Sequence, residues 1–230
     1  MTGVLYGVGV GPGDPELMTL KAVKAIKECD IIGIPAKDIS SCTAYKIAIK
    51  AVPEIDEKQI ICAPIPMTKD KNLLKEAYSN CCSNLEKELD KGKKIAFLTL
   101  GDPTVYSTYM TIHKKIREKG YIAELISGVP SFCAVAARLN LSLGSRKENI
   151  HILPGVYNAD EIKKYDGTKI LMKSAGKIEE VKNKILASEN LRAYAVTNCG
   201  MDSQKIYSDI SLLSEDAGYF TTIIVKDIEK

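Results

Sequence analysis

Through its first half the chain alternates short apolar runs, rich in β-branched residues, with stretches of helical periodicity. VLYGVGV leads into PELMTLKAVKAIKEC, whose Leu17, Leu20, Val23 and Ile26 fall along one side. DIIGIP, the helical TAYKIAIKAV, QIICAPIP, a long polar helix from about Asp70 to Lys91, and KIAFLTL follow. After the turn GDPTVYS a helix reaches about Lys119, and YIAELI closes the series. Continuous apolar runs of strand length between helices read as strands buried on both faces. The fold expected is therefore α/β, with an open, mostly parallel sheet. The second half reads differently. NIHILP, KILMK, LRAYAVTN, QKIYSD and YFTTIIV are separated by only two clear helices. LRAYAVTN and QKIYSD flank a short turn near Gly200 and need not be parallel. This gives two domains, residues 1–126 and 127–230, the second with a mixed sheet, and a hinge near Ser127–Pro130.

In open α/β sheets ligands bind outside the carboxyl ends of the strands. Three turns fall there: GVGPGDP after the first strand, LGDPTVYS after KIAFLTL, and SGVPS after YIAELI. All are built from Gly, Pro and small residues, so the backbone itself can approach a ligand. The first is not a dinucleotide fingerprint. Gly-x-Gly-x-x-Gly needs a glycine at its sixth place, where the two frames from Gly7 and Gly9 supply Pro12 and Asp14. Pro12 and Pro15 also remove two N–H groups that a pyrophosphate cradle would use. A nicotinamide-dependent oxidoreductase is disfavoured on that ground.

Charge narrows the partners. The net charge of +3 is too small to mark a nucleic-acid binder, yet a weakly basic surface suits an anionic small molecule. No apolar run reaches membrane-span length and no signal peptide is recognisable, so no membrane association and a cytoplasmic location are expected. Seven cysteines without a Cys-x-x-Cys pair, beside two histidines, form no metal-ligand pattern and read as reduced thiols. His113, followed by Lys114 and Lys115 on a helix, is expected at the surface, and His151 in NIHILP reads equally well as a satisfied core residue.

The same turns carry a family resemblance. YGVGVGPGDPELMTLKA, LTLGDPTVYSTYM and ISGVPSFCAVAARLNLSL resemble the tetrapyrrole methyltransferases, from about Leu5 to Val225. The paired motifs GPGDP and GDPxxY carry it. YSTYM and SFCAVAA are similar to those members that methylate C-20 of precorrin-2 or of cobalt-factor II, and the lysine- and cysteine-rich composition tilts the reading to the cobalt-bearing ring. Other members act on uroporphyrinogen or other precorrins, and a non-catalytic tetrapyrrole carrier is the remaining alternative. The resemblance implies S-adenosylmethionine as cofactor, bent in a cleft between the domains, a homodimer, and an anionic tetrapyrrole substrate. It places Pro12, Leu100, Gly101, Asp102, Val105, Pro130, Ser131, Phe132, Met172, Asn198, Cys199, Gly200, Thr221 and Thr222 at the cofactor. Asp102 is either a side-chain acceptor for the cofactor or an Asx-turn residue bonded to its own backbone. The family's Gly-(Ile/Val)-Ser-Ser loop is Gly128-Val129-Pro130-Ser131 here, which removes a hydroxyl at position 130. Tyr106, Tyr109 and Asp14 are the candidates beside the substrate, and Lys37 and Arg146 those for its carboxylates. An electron-rich ring carbon needs no strong base to attack a sulfonium methyl.

Overall fold

In the computed structural model, which describes residues 3–154, 159–173, 177–214 and 216–228, the first unit, Met1–Pro130, is built on five parallel strands. They are β1 (Val4–Gly9), β2 (Ile31–Ile34), β3 (Gln59–Cys62), β4 (Lys94–Thr99) and β5 (Ile122–Ile126), in the order β3-β2-β4-β1-β5. The central strands are buried on both faces because alternate residues serve different helix layers. Along β4, Ala96 and Leu98 pack with α1 (Leu20–Glu28) and α2 (Thr43–Ala51), whereas Ile95 and Phe97 pack with α3 (Lys71–Leu89) and α4 (Tyr109–Glu118).

Local chemistry sets where the helices begin. Asp70 caps α3, accepting from Asn72 N at 2.8 Å and Leu73 N at 3.3 Å. Its polar sequence still buries one side through Cys81, Cys82, Leu85 and Leu89. Burial pushes the Cys29 and Cys81 thiols up to about 12, so both serve as small apolar groups. The first helical stretch corrects an expectation. Pro15–Leu17 is a separate 3-10 turn, and α1 starts afresh after Thr19, whose Oγ1 accepts from Ala22 N at 3.1 Å. The break shifts the helical phase. Leu20 is 89% exposed, and Ala22 and Ile26 form the buried face instead.

The second unit, Ser131–Lys230, holds a mixed sheet in the order β6-β7-β10-β8-β9. The two units divide between Pro130 and Ser131. β6 (Ile150–Pro154) and β7 (Thr168–Met172) pair in parallel. β10 (Thr221–Asp227) runs antiparallel to β7 and to β8 (Leu191–Thr197), and β9 (Lys205–Tyr207) antiparallel to β8. One face packs on α6 (Ile178–Leu186), and α5 (Ser131–Arg138) lies against β10. A polar cluster ties the segment after α5 to the sheet. Lys226 Nζ donates to Glu148 Oε1 at 2.6 Å and to Thr168 Oγ1 at 2.7 Å, while Ser145 N donates to Glu148 Oε2 at 3.1 Å. His151 donates through Nε2 to the Asp166 carbonyl at 2.9 Å and stacks near Tyr165.

Two predictions follow from this packing. A Cβ at Gly7 would lie 1.9 Å from Tyr109 Cε1, so Gly7→Ala is expected to cost about 2–3 kcal/mol in urea denaturation, by overpacking; a loss near zero would contradict the packing. Burial alone would raise the Glu148 pKa, but the Lys226 and Thr168 donors outweigh it and hold the carboxyl low. A depressed carboxyl stabilises the fold above its unfolded pKa, and that contribution is lost as pH falls through the folded value. Stability of the wild type should therefore decline on acidification below about pH 4.3 more steeply than that of Glu148→Gln, as read by thermal melts across pH.

Candidate functional site

Because the first sheet is wholly parallel, the carboxyl ends of its strands share one rim, and β4, β1 and β5 are consecutive along it. From β1 the chain turns onto the face of α1; from the adjacent β4 it turns onto the opposite face, that of α4. That divergence is the topological switch point at which open α/β sheets form a ligand crevice. Here the three glycine-rich turns are tied across it. Gly101 N donates to Gly11 O at 2.8 Å, and Gly11 N to Gly101 O at 3.3 Å, joining the turns after β4 and β1. Gly128 N donates to Asp102 Oδ2 at 3.0 Å, joining those after β5 and β4. Thr19 Oγ1 donates to the Ser127 carbonyl at 3.2 Å, joining the end of the β1 turn to that of β5. The three ties close a ring.

Backbone packs on backbone inside it. A Cβ on Gly128 would come within 2.2 Å of Gly101 O and 2.8 Å of the Gly9 carbonyl carbon, so only glycine lets the turns approach this closely. Gly101 is the opposite case. It is buried, its φ is +70°, and a Cβ there would meet, beyond its chain neighbours, only Val129 O at 4.0 Å. The missing side chain leaves a hollow in the ring.

Asp102 is 7% exposed and its carboxylate is already occupied. Oδ1 accepts from Thr104 N at 2.8 Å and from Thr104 Oγ1, and Oδ2 accepts from Gly128 N. It is thus an Asx-turn residue with a second bond to the neighbouring turn. Pro12 is buried in the β1 turn, and Leu100, Val105 and Pro130 are half-buried in theirs. Val105 N donates to Asp102 O at 3.2 Å, which closes the GDPTV turn.

The second unit gathers most of its expected residues at neighbouring positions of one sheet. Ser131, the first residue of α5, has its Oγ 3.4 Å from Thr222 Oγ1. Thr222 is in register with Met172 on β7 and Val196 on β8. Thr221 is in register with Thr197, and its Oγ1 donates to Gly218 O at 2.7 Å. The β8 strand ends in Asn198 and Gly200, both left-handed at φ 50° and 79°, with Cys199 buried between them. Asn tolerates that conformation better than most residues, and Asn198 N donates to Phe220 O at 2.9 Å. Phe132 is half-buried on the first turn of α5.

Two residues lie elsewhere than expected. Tyr109 is 1% exposed against Phe97 and Gly7, with its hydroxyl pushed well above the ordinary tyrosine value by burial. It is a core residue. His113, expected at the surface, is 6% exposed, its Nδ1 3.4 Å from the Tyr109 hydroxyl; burial and Arg117 lower its pKa. Tyr106 stays a candidate by position. It is 43% exposed on the GDPTVYS turn and holds φ 49°, a conformation costly for an aromatic residue. Asp14 Oδ1 caps the Pro15–Leu17 turn through Glu16 N at 3.0 Å. Lys37 is exposed in the turn after β2, on the first unit's rim; Arg146 is exposed in the segment after α5 of the second. Gly128, Thr19 and Thr104 were not among the expected site residues. The glycine stood in SGVPS, and Thr19 carried the N-cap signal of a Thr before an amphipathic run.

A family model described as Tetrapyrrole (Corrin/Porphyrin) Methylases matches residues 4–213. The chain belongs to the tetrapyrrole methylase family. It is 39% identical over 185 residues, 78% of this chain and 77% of the relative, to the probable cobalt-precorrin-2 C(20)-methyltransferase of Methanocaldococcus jannaschii. It is 26% identical to the cobalt-precorrin-2 C(20)-methyltransferase of Salmonella typhimurium, over 98% of this chain and 97% of that one. The fold recurs in the uroporphyrin-III C-methyltransferase of Thermus thermophilus complexed with S-adenosyl homocysteine, at TM-score 0.68 and 18% identity over 97% of each chain. It recurs also in a cobalt precorrin-4 methyltransferase, at TM-score 0.72 and 19% identity over 97% of this chain and 94% of that one. Among the described residues of this tetrapyrrole methylase, no helix is long and apolar enough to cross a membrane, and no three His, Cys, Asp or Glu side chains group as a metal site.

The ring of turns predicts its own sensitivity. Gly128→Ala should cost about 3 kcal/mol, the upper range of overpacking, in chemical denaturation. A cost below about 0.5 kcal/mol, the scale of an ordinary surface substitution, would mean that the turns are not held in contact.

Proposed function

We propose that the protein transfers the methyl group of S-adenosylmethionine to C-20 of a precorrin-2 ring, in its cobalt-bearing form, during cobalamin biosynthesis. The observation that carries this reading is the likeness to the archaeal relative named for that reaction, extending over most of both chains. The turns fit the cofactor on two counts. The hollow at Gly101 is a cradle that any side chain would fill. The turns at 10–19, 100–108 and 127–130 contain Asp14, Glu16 and Asp102 but no Lys, Arg or His, so nothing in them repels a cation.

The sulfonium supplies an activated methyl group. The protein's part is placement. The backbone of Leu100–Val105, with Pro12 and Pro130, would hold the cofactor's central region. When bound, S-adenosylmethionine would give its methyl to C-20, with the sulfur leaving as the neutral thioether and the C-20 proton passing to solvent, so the chain's part is to hold the ring carbon in line with the departing sulfur. Orientation of this kind is worth roughly 7–11 kcal/mol in well-aligned reactions. Tyr106 would border the ring, and Lys37 would meet one of its carboxylates as a point charge.

Incubation with 13C-methyl S-adenosylmethionine and the cobalt-bearing ring should give S-adenosylhomocysteine and a label at C-20 by NMR, with less turnover on metal-free precorrin-2. A label at another ring carbon, or no product from either ring, sinks the assignment. Gly101→Ala should cost only about 1–2 kcal/mol of stability through its left-handed backbone. It should weaken S-adenosylmethionine binding by more than about tenfold in calorimetry. Unchanged affinity would remove the hollow from the site.

A further inference from the structure

Asp102 is the one carboxylate among the three ties, and its geometry assigns it a role that the family likeness does not. Both oxygens are committed within the protein, Oδ1 to Thr104 and Oδ2 to Gly128 N. An ionised carboxyl has about four acceptor sites on its two oxygens, and these donors take three of them in a side chain that is 7% exposed. A hydrogen bond from a neutral donor to a charged acceptor is about twice as strong as a neutral pair. The bond to Gly128 is therefore the strongest single link in the ring of turns. Gly128 is also where the turns touch most closely, at the Gly101 carbonyl.

We infer that the Asp102 side chain is a positioning group, which acts on the cofactor through Gly128 and the shape of the Gly101 hollow rather than by a carboxylate contact with the cofactor. This rests on the reading of the turns as the S-adenosylmethionine site. The alternative, a carboxylate that accepts from the cofactor's ammonium or hydroxyls, would have only the second acceptor site of Oδ2 to offer unless it gave up Thr104 or Gly128. Neither loss has a ready replacement, because a buried N–H left without an acceptor is penalised heavily. Asn at 102 is the sharpest probe. It keeps the Asx turn to Thr104 through its amide oxygen but presents an NH2 to Gly128 N, donor against donor.

The test reads the tie and the ligand separately, on the full chain. Amide hydrogen exchange of Gly128 is measured in the ligand-free wild type and in Asp102→Asn, and affinity for S-adenosylmethionine and for S-adenosylhomocysteine by calorimetry. The expected result is faster exchange at Gly128 by about tenfold or more, with both ligands weakened by about tenfold or more and by similar factors. At saturating S-adenosylmethionine, KM for the tetrapyrrole should stay within about twofold. Thr104→Val, which loosens the carboxylate but keeps its charge, should show the same pattern at smaller amplitude, and serves if Asp102→Asn fails to fold. Weakened binding with unchanged Gly128 exchange would mean direct contact and overturn the inference. Faster exchange with unchanged affinity would overturn it as well. A wild type that binds neither ligand would instead remove the reading of the site, with the exchange at Gly128 still reporting on the tie.

Discussion

Gly128 donates its backbone N–H to a buried carboxylate, and the close approach of three turns at the sheet rim depends on that bond. A backbone N–H or C=O buried without a partner costs free energy comparable to a lost hydrogen bond. Here the Gly11–Gly101 pair and the Thr19–Ser127 bond complete the pairing on the other two sides. The consequence is a rim made of main chain, with glycines where turns touch and a glycine where space is left. A surface of that kind suits a ligand recognised by shape and by peptide groups more than by long side chains.

The sheet beneath explains why these turns and no others are brought together. Parallel pairing puts every carboxyl end on one side, and the order β4-β1-β5 sets the three glycine-rich turns side by side. Helices leave β1 and β4 on opposite faces, which opens the space that the turns then line. The turns after β2 and β3 continue the same rim and carry Lys37 with Asp38 and Lys69 with Asp70, whereas those of β4 and β1 carry only acidic charges and that of β5 none. A cationic cofactor beside an anionic ring is compatible with that distribution.

Much of this was legible in the residues. Continuous apolar runs such as DIIGIP and KIAFLTL read as strands buried on both faces, and the short turn between LRAYAVTN and QKIYSD left open the antiparallel pairing that the second sheet has. What the sequence hid was phase and burial. The Leu17–Ile26 stripe looked continuous, but Pro15 and the Thr19 cap split it into two elements, turning Leu20 outward. Tyr109 and His113 follow a functional motif among lysines, yet they fall four apart on one face of α4 and so pack inward together. For Asp102 the local Asx turn was readable from Gly-Asp-Pro-Thr, but its bond to a residue 26 positions away was not. Long-range ties between turns leave no periodic trace.

The central claim is that the hollow at Gly101, framed by the three tied turns, receives the sulfur-bearing part of the cofactor. A crystal structure of the protein grown with S-adenosylhomocysteine measures this most directly. The account predicts ligand density against Gly101, with peptide groups of Leu100–Val105 within hydrogen-bond distance and the Asp102–Gly128 bond intact. Density elsewhere on the molecule, with the space above Gly101 left to water, would contradict it.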